Sequence, residues 1–241
     1  RTWLEIDSQA ISHNLHELRA LLSPGARLCA VVKANAYGHG MKEVAQIAAR
    51  SGVDAFEVDQ IDDALILRNL FPSALILVIG YTIQSRLADA VAQDIHLTVY
   101  DPIAIEQIEL ASARLAKTAS VHLKLETGTA RQGIVREQLS DILDALTRAE
   151  HVNVEGLSTH FANVEEAHDP RFATLQFQLF QEIVQKIRAS GFDPRLIHCA
   201  CSAAIILYPD THMTMVRAGI SLYGLWPSEE VETVARKHGI R

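Results

Sequence analysis

Cysteine is scarce in this 241-residue chain, and the three present, Cys29, Cys199 and Cys201, are an odd number, which argues against a disulfide framework. Positive charge is also in deficit. Twenty-two Lys and Arg face 29 Asp and Glu, for a formal net charge of -7, so nucleic acid and anionic membranes are poor candidates for the main partner. No apolar run approaches the ~20 residues of a membrane span, and no basic-then-apolar signal pattern opens the chain. The chain therefore reads as soluble and cytoplasmic; its first residue, Arg1, reads as a trimmed N-terminus. Neither G-x-G-x-x-G nor G-x-x-x-x-G-K-[ST] follows the first strand, so no nucleotide-binding fingerprint is available. Low-complexity segments and Pro/Ser-rich linkers are missing too. His198-Cys199-Ala200-Cys201 has metal-ligand residue types, but alternate strand residues face opposite sides, so no metal is expected there, and Cys29 reads as a small core residue.

What is present is a hydrophobic half, 49% of residues, in a length that suits one large core. Apolar runs at 28–32, 55–58, 74–79, 96–100, 121–125, 154–159, 196–199 and 213–220 read as strands. Amphipathic segments at 42–50, 62–70, 86–93, 103–117, 138–148 and 172–190 separate them, and the last link, 202–207, is short. Eight such units imply parallel βαβ connections and an α/β fold, a (β/α)8 TIM barrel, with an open doubly wound sheet as second choice. Residues 2–7 alternate like a short strand surplus to the barrel, and Asp7 or Ser8 can cap the helix that follows. After Tyr223-Gly224 the rhythm stops, and 228–237 reads as a lone polar helix with little to pack on. The expected division is an N-terminal strand in 1–8, a barrel in 9–226 and the start of a connection in 227–241, the chain ending mid-protein.

The first of these strands delivers Lys33 to its end, ahead of a turn rich in Gly and Asn. An amine held among apolar neighbours is costly to charge, and the neutral amine is the form that makes Schiff bases. A single strand-end lysine more often keeps its head in water. In (β/α)8 barrels, however, chemistry collects at the C-terminal strand ends, and the polar residues there make a set: Lys33 and Tyr37, Arg131, His160, Ser202, and Arg217 ahead of Gly219 and Ile220. Each alone has a bland explanation, a helix N-cap in the case of Ser202. Together, a Schiff-base lysine, a phosphate cradle of Ser202, Gly219 and Ile220, and two arginines point to pyridoxal 5'-phosphate.

Val32-Lys33-Ala34-Asn35-Ala36-Tyr37-Gly38-His39-Gly40 resembles the cofactor-lysine signature of the alanine racemases, fold-type III pyridoxal-phosphate enzymes. The resemblance continues through Thr159-His160-Phe161-Ala162, the 198–204 segment and Arg217-Ala218-Gly219-Ile220-Ser221-Leu222-Tyr223-Gly224. It implies that Lys33 forms the Schiff base and is one of two bases. It implies further that Tyr37, Ser202, Gly219 and Ile220 hold the phosphate, that Arg217 meets the pyridine nitrogen with His160 supporting it, and that Arg131 meets the phenolic oxygen. Lys124 falls where family members can carry a carbamylated lysine; an ordinary salt-bridging lysine is the equal alternative. The implied activity is an isomerase interconverting L- and D-alanine, for peptidoglycan, in a head-to-tail homodimer. Two positions depart from the family: the loop Glu126-Thr127-Gly128-Thr129-Ala130-Arg131, and Cys201 where Asn is usual. The family's C-terminal β domain, to which the 1–8 strand would belong and which brings a tyrosine as the opposite-face base into the partner's site, is not in the chain, so this piece alone is expected to be nearly inactive. A racemase of serine or another amino acid, a non-catalytic pyridoxal-phosphate carrier and a Schiff-base aldolase stay open as alternatives.

Overall fold

Eight parallel strands close into a barrel in the computed structural model, which describes residues 2–240. They are β1 (Arg27–Val31), β2 (Ala55–Val58), β3 (Leu75–Val78), β4 (His96–Val99), β5 (Ala119–Lys124), β6 (Val152–Ser158), β7 (Leu196–His198) and β8 (Met215–Ala218). The ladder runs β7-β6-β5-β4-β3-β2-β1-β8. The seam between its ends is stitched by Thr214 N donating to Ile197 O at 3.1 Å and Arg217 N to Ala200 O at 3.0 Å. This is the (β/α)8 TIM barrel, and short strands rich in Val, Ile, Leu and Ala suit a sheet buried on both faces.

Helices wrap the strands: α1 (Ser8–Ala20), α3 (Met41–Arg50), α4 (Ile61–Leu70), α5 (Leu87–Ala92), α6 (Pro102–Leu115), α7 (Leu139–Arg148), α8 (Arg171–Ala189), α9 (Ser202–Leu207) and α10 (Glu229–Lys237). Asp7 caps α1, accepting from the amides of Gln9 and Ala10, and Asp101 caps α6 ahead of Pro102. Between β1 and α3 the chain makes a single left-handed turn, α2 (Lys33–Tyr37). Ala34, Asn35, Ala36 and Tyr37 all have φ between 51° and 55°.

Residues 2–7 pair with no strand of the barrel, and Trp3 is 73% and Leu4 66% exposed. One expectation fails. The 228–237 helix is not lone. Ser228 Oγ accepts from Val231 N and donates to Glu165 O, while Val231 and Ala235 are fully buried in the main core. The strand assigned to 213–220 covers only Met215–Ala218, since Gly219 begins the turn that faces the site. Arg1 and Arg241, at the outer ends of the expected flanking segments, lie outside the described residues.

One irregularity sets the interior. β5 and β6 pair Val121 with Val154 but His122 with Gly156, so Glu155 is an extra, bulged residue whose carboxylate meets Arg195 at 2.8 Å. A Cβ on Gly156 would overlap the His122 imidazole, so this strand position has to be bare. Glycine to alanine here is an overpacking change with no flexible neighbour to yield. Gly156→Ala should lower stability by about 2–3 kcal/mol in equilibrium urea unfolding. A loss within about 0.5 kcal/mol of wild type would mean that the ring moves aside freely.

Candidate active site

A cavity of about 230 Å³ opens at the C-terminal strand ends. Lys33, Tyr37, Lys124, Arg131, His160, Ser202, Arg217, Gly219 and Ile220, drawn from elements far apart in sequence, all line it. The left-handed turn carries both Lys33 and Tyr37. It is held by Ala36 N to Val32 O at 2.9 Å and Gly40 N to Asn35 O at 3.0 Å, and Asn35 Oδ1 also accepts from Met41 N at the start of α3. Tyr37 packs on Tyr223, their ring centroids 5.1 Å apart, and Tyr223 is anchored by its hydroxyl to Val31 O.

Opposite, Ser202 Oγ accepts from the amides of Gly219 at 3.1 Å and Ser221 at 3.3 Å. The serine is therefore no N-cap; Cys201 holds that position in α9, without a side-chain bond. A Cβ on Gly219 would lie 3.3 Å from Tyr37 Oη and 3.9 Å from Ser202 Oγ. Two hydroxyls and a bare backbone thus converge on a space that a side chain would fill, as a tetrahedral oxyanion requires. Four cations, Lys33, Lys124, Arg131 and Arg217, line the cavity against two carboxylates, Glu57 and Glu165, a balance that favours an anionic guest.

Lys124 is buried on the inner face of β5. Desolvation first, and the Arg217 charge second, lower its pKa to about 7. Burial and Arg217 likewise hold His160 near 3, so it is neutral. Arg131 lies exposed at the rim, on a loop closed by Ile134 N donating to Lys124 O. Cys201 lines the cavity with its thiol pKa raised by burial; Cys199 points into the wall and donates to Thr211 O.

Arg217 is nearly sealed, and its Nη donors are spent on named acceptors. Nη1 donates to His198 Nδ1 at 2.7 Å and His198 O at 2.9 Å, and Nη2 donates to Thr159 O at 2.8 Å, with His160 Nδ1 at 3.4 Å. A guanidinium cannot accept, so His198 Nδ1 must be bare and its proton must sit on Nε2. That proton goes to His122 Nδ1 at 2.8 Å, which forces the His122 proton onto Nε2 and so toward His96 Nδ1 at 3.0 Å. Burial lowers the pKa of all three imidazoles, consistent with a neutral file. The rings come from β7, β5 and β4, and His122 reaches His198 past β6 because Gly156 is bare.

Sequence reasoning missed His96, His122 and Glu57, and weighed His198 only as a metal ligand. The signal was period two: His122 stands two before inward-facing Lys124 on the same strand. The file should give three neutral Nε2–H rings in 15N spectra at pH 6. Below the unfolded-state pKa of about 6.5 only the unfolded chain takes up these protons, so stability should fall with pH there, by up to ~1.4 kcal/mol per pH unit per ring. Urea unfolding at pH 7 and 5.5 measures this, and equal stability at both, or a ring titrating near its usual value, would exclude the neutral file.

A family model described as the N-terminal domain of alanine racemase matches residues 6–227. The alanine racemase of Methanococcus maripaludis is 40% identical over 230 residues, covering 95% of this chain and 61% of that protein. That of Desulfosudis oleivorans is 42% identical over 239 residues, with the same two coverages of 95% and 61%. Among solved structures, alanine racemase from the D-cycloserine producer Streptomyces lavendulae superposes with a TM-score of 0.91 at 32% identity, over 98% of this chain and 62% of that one. Alanine racemase of Clostridium difficile in complex with cycloserine gives 0.89 at 31%, over 94% and 62%. The chain thus spans about three fifths of the length of these relatives. With the match running through nearly every element that builds the cavity, the chain belongs to the alanine racemase N-terminal domain family.

Proposed function

We propose that this chain is the cofactor-binding barrel of an alanine racemase, with pyridoxal 5'-phosphate seated at the strand ends. The observation that carries the reading is the convergence on one cavity of the Lys33 amine with the cradle of Tyr37, Ser202 and Gly219. The donor set fits the group: an amine for an aldehyde, hydroxyls and backbone N–H groups for a phosphate, and a cationic surplus for its charge. When bound, pyridoxal phosphate supplies an electrophilic carbon and a π system able to take up the electron pair left at a substrate α-carbon.

The rest is the work of the chain. Lys33 Nζ anchors the aldehyde end and then holds or releases a proton on one face of the α-carbon. Tyr37 Oη, Ser202 Oγ, the bare backbone at Gly219 and the amide of Ile220 would hold the phosphate. Arg217 Nε–H, without a hydrogen-bond partner among the described residues, would serve the ring nitrogen. A permanent guanidinium neither gives up nor accepts a proton there, which limits how far the ring can become positive and favours return of the proton to the α-carbon. Lys124, close to half neutral at pH 7, can take up carbon dioxide, and the carbamate oxygens would orient Arg131 against the phenolic oxygen. Racemisation needs a second proton carrier on the opposite face. None of the residues above supplies one, so a second copy of the full-length protein is the proposed source, in a cytoplasmic homodimer acting on alanine; no helix among the described residues is long and apolar enough to cross a membrane.

Titrating the chain with pyridoxal phosphate should give a visible absorption band that borohydride reduction and Lys33→Ala both abolish; a band that survives the substitution would reject Lys33. A coupled D-alanine assay should find activity in the full-length protein and little in this chain, and comparable rates on serine would shift the substrate. Labelled bicarbonate should give a carbamate carbon resonance that grows between pH 6 and 8, as the neutral amine becomes available, and disappears in Lys124→Ala. A spectrum without it would make Lys124 a simple cationic neighbour of Glu57.

A further inference from the structure

Glu57 has no part in the mechanism above, yet it lies at its centre. The side chain sits mid-strand in β2 between Phe56 and Val58, buried on the inner wall and lining the cavity. Its Oε2 is sealed from water and has no hydrogen-bond partner. The nearest cationic atom is Arg217 Nε at 3.5 Å; burial raises the Glu57 pKa, and the charges of Arg217, Lys33 and Lys124 oppose that rise and favour the carboxylate. That separation is too long for a good hydrogen bond.

The two groups are complementary leftovers. The Nη1 and Nη2 donors of Arg217 are directed at His198, Thr159 and His160, which leaves Nε–H without a hydrogen-bond partner. Oε2 of Glu57 is the unsatisfied acceptor beside it. A buried carboxylate oxygen without a partner is costly, so it draws on whatever donor stands nearest. The same N–H is the one that the cofactor reading assigns to the ring nitrogen, and the inference rests on that reading.

We propose that Glu57 is a positioning residue for the heterocycle end of the site, sharing the Arg217 Nε–H with the ring nitrogen of bound pyridoxal phosphate. A carboxylate oxygen is a stronger acceptor than a pyridine nitrogen, so Glu57 keeps the ring-nitrogen hydrogen bond weak. Removing the carboxylate leaves the donor wholly to the ring.

The test compares binding of pyridoxal phosphate with its carbocyclic analogue, in which C–H replaces the ring nitrogen. The two share aldehyde, phenol and phosphate, so a general change in the cavity moves both affinities together. In the 241-residue chain the ratio of affinities should favour pyridoxal phosphate more strongly after substitution, by about tenfold in Glu57→Ala. In Glu57→Gln, which keeps the shape and a weaker amide acceptor, the gain should be about threefold. Far-ultraviolet circular dichroism checks that each variant is folded, and the isosteric glutamine variant serves if the alanine one is not. A ratio unchanged within about twofold overturns the proposal. So does a ratio that falls, because Glu57 would then strengthen the ring-nitrogen contact. If the wild-type chain takes up neither compound, the cofactor reading fails and this inference with it. If both compounds bind and reduction fixes them to Lys33 while the ratio stays put, Glu57 alone is excluded.

Discussion

The hydrogen bond from Arg217 Nη1 to His198 Nδ1 sets the direction of the histidine file behind the cavity. Because the guanidinium can only donate, one bond at the mouth decides where the proton sits on His198, then on His122, then on His96. Four side chains from β8, β7, β5 and β4 are thereby locked into one ordered belt around the inner wall. A barrel interior is usually filled by branched apolar residues. Here one layer is polar, and it is tolerated because its members satisfy one another instead of facing hydrocarbon unpaired.

That belt and the bulge in β6 are one construction. The extra residue, Glu155, shifts the register so that Gly156 falls opposite His122, and the missing side chain opens the passage through which rings on β5 and β7 touch. At its open end His96 borders a second cavity, at the N-terminal strand ends, lined also by Arg27, Ser120, Glu155 and Arg195. The file of histidines thus runs from this second cavity to Arg217, which lines the first.

Most of the architecture was legible because its causes are local. Near-continuous apolar strands of three to seven residues, spaced by amphipathic helices, leave few alternatives to a parallel barrel, and the rule that chemistry gathers at the C-terminal strand ends then picks out Lys33, Arg131, Ser202 and Arg217. What escaped was non-local. Nothing near Glu57 in the sequence reveals that its carboxylate will face Arg217 from across the barrel, and His122 reads as one more strand residue until its neighbour past Gly156 is known. The packing of α10 escaped because two small or branched residues four apart, Val231 and Ala235, make a seam too narrow to stand out among charges.

The left-handed turn has a bearing on when the site comes into being. Four successive non-glycine residues, Ala34 to Tyr37, hold a backbone conformation that disfavours each by roughly 1–2 kcal/mol, so no isolated peptide of this sequence would keep it. It persists because Val32 and α3 clamp its two ends, and they are fixed only once β1 lies between β2 and β8. β8 is made nearly two hundred residues after Lys33. On a ribosome, Lys33 and Tyr37 emerge long before β8, the strand that completes the clamp on their turn.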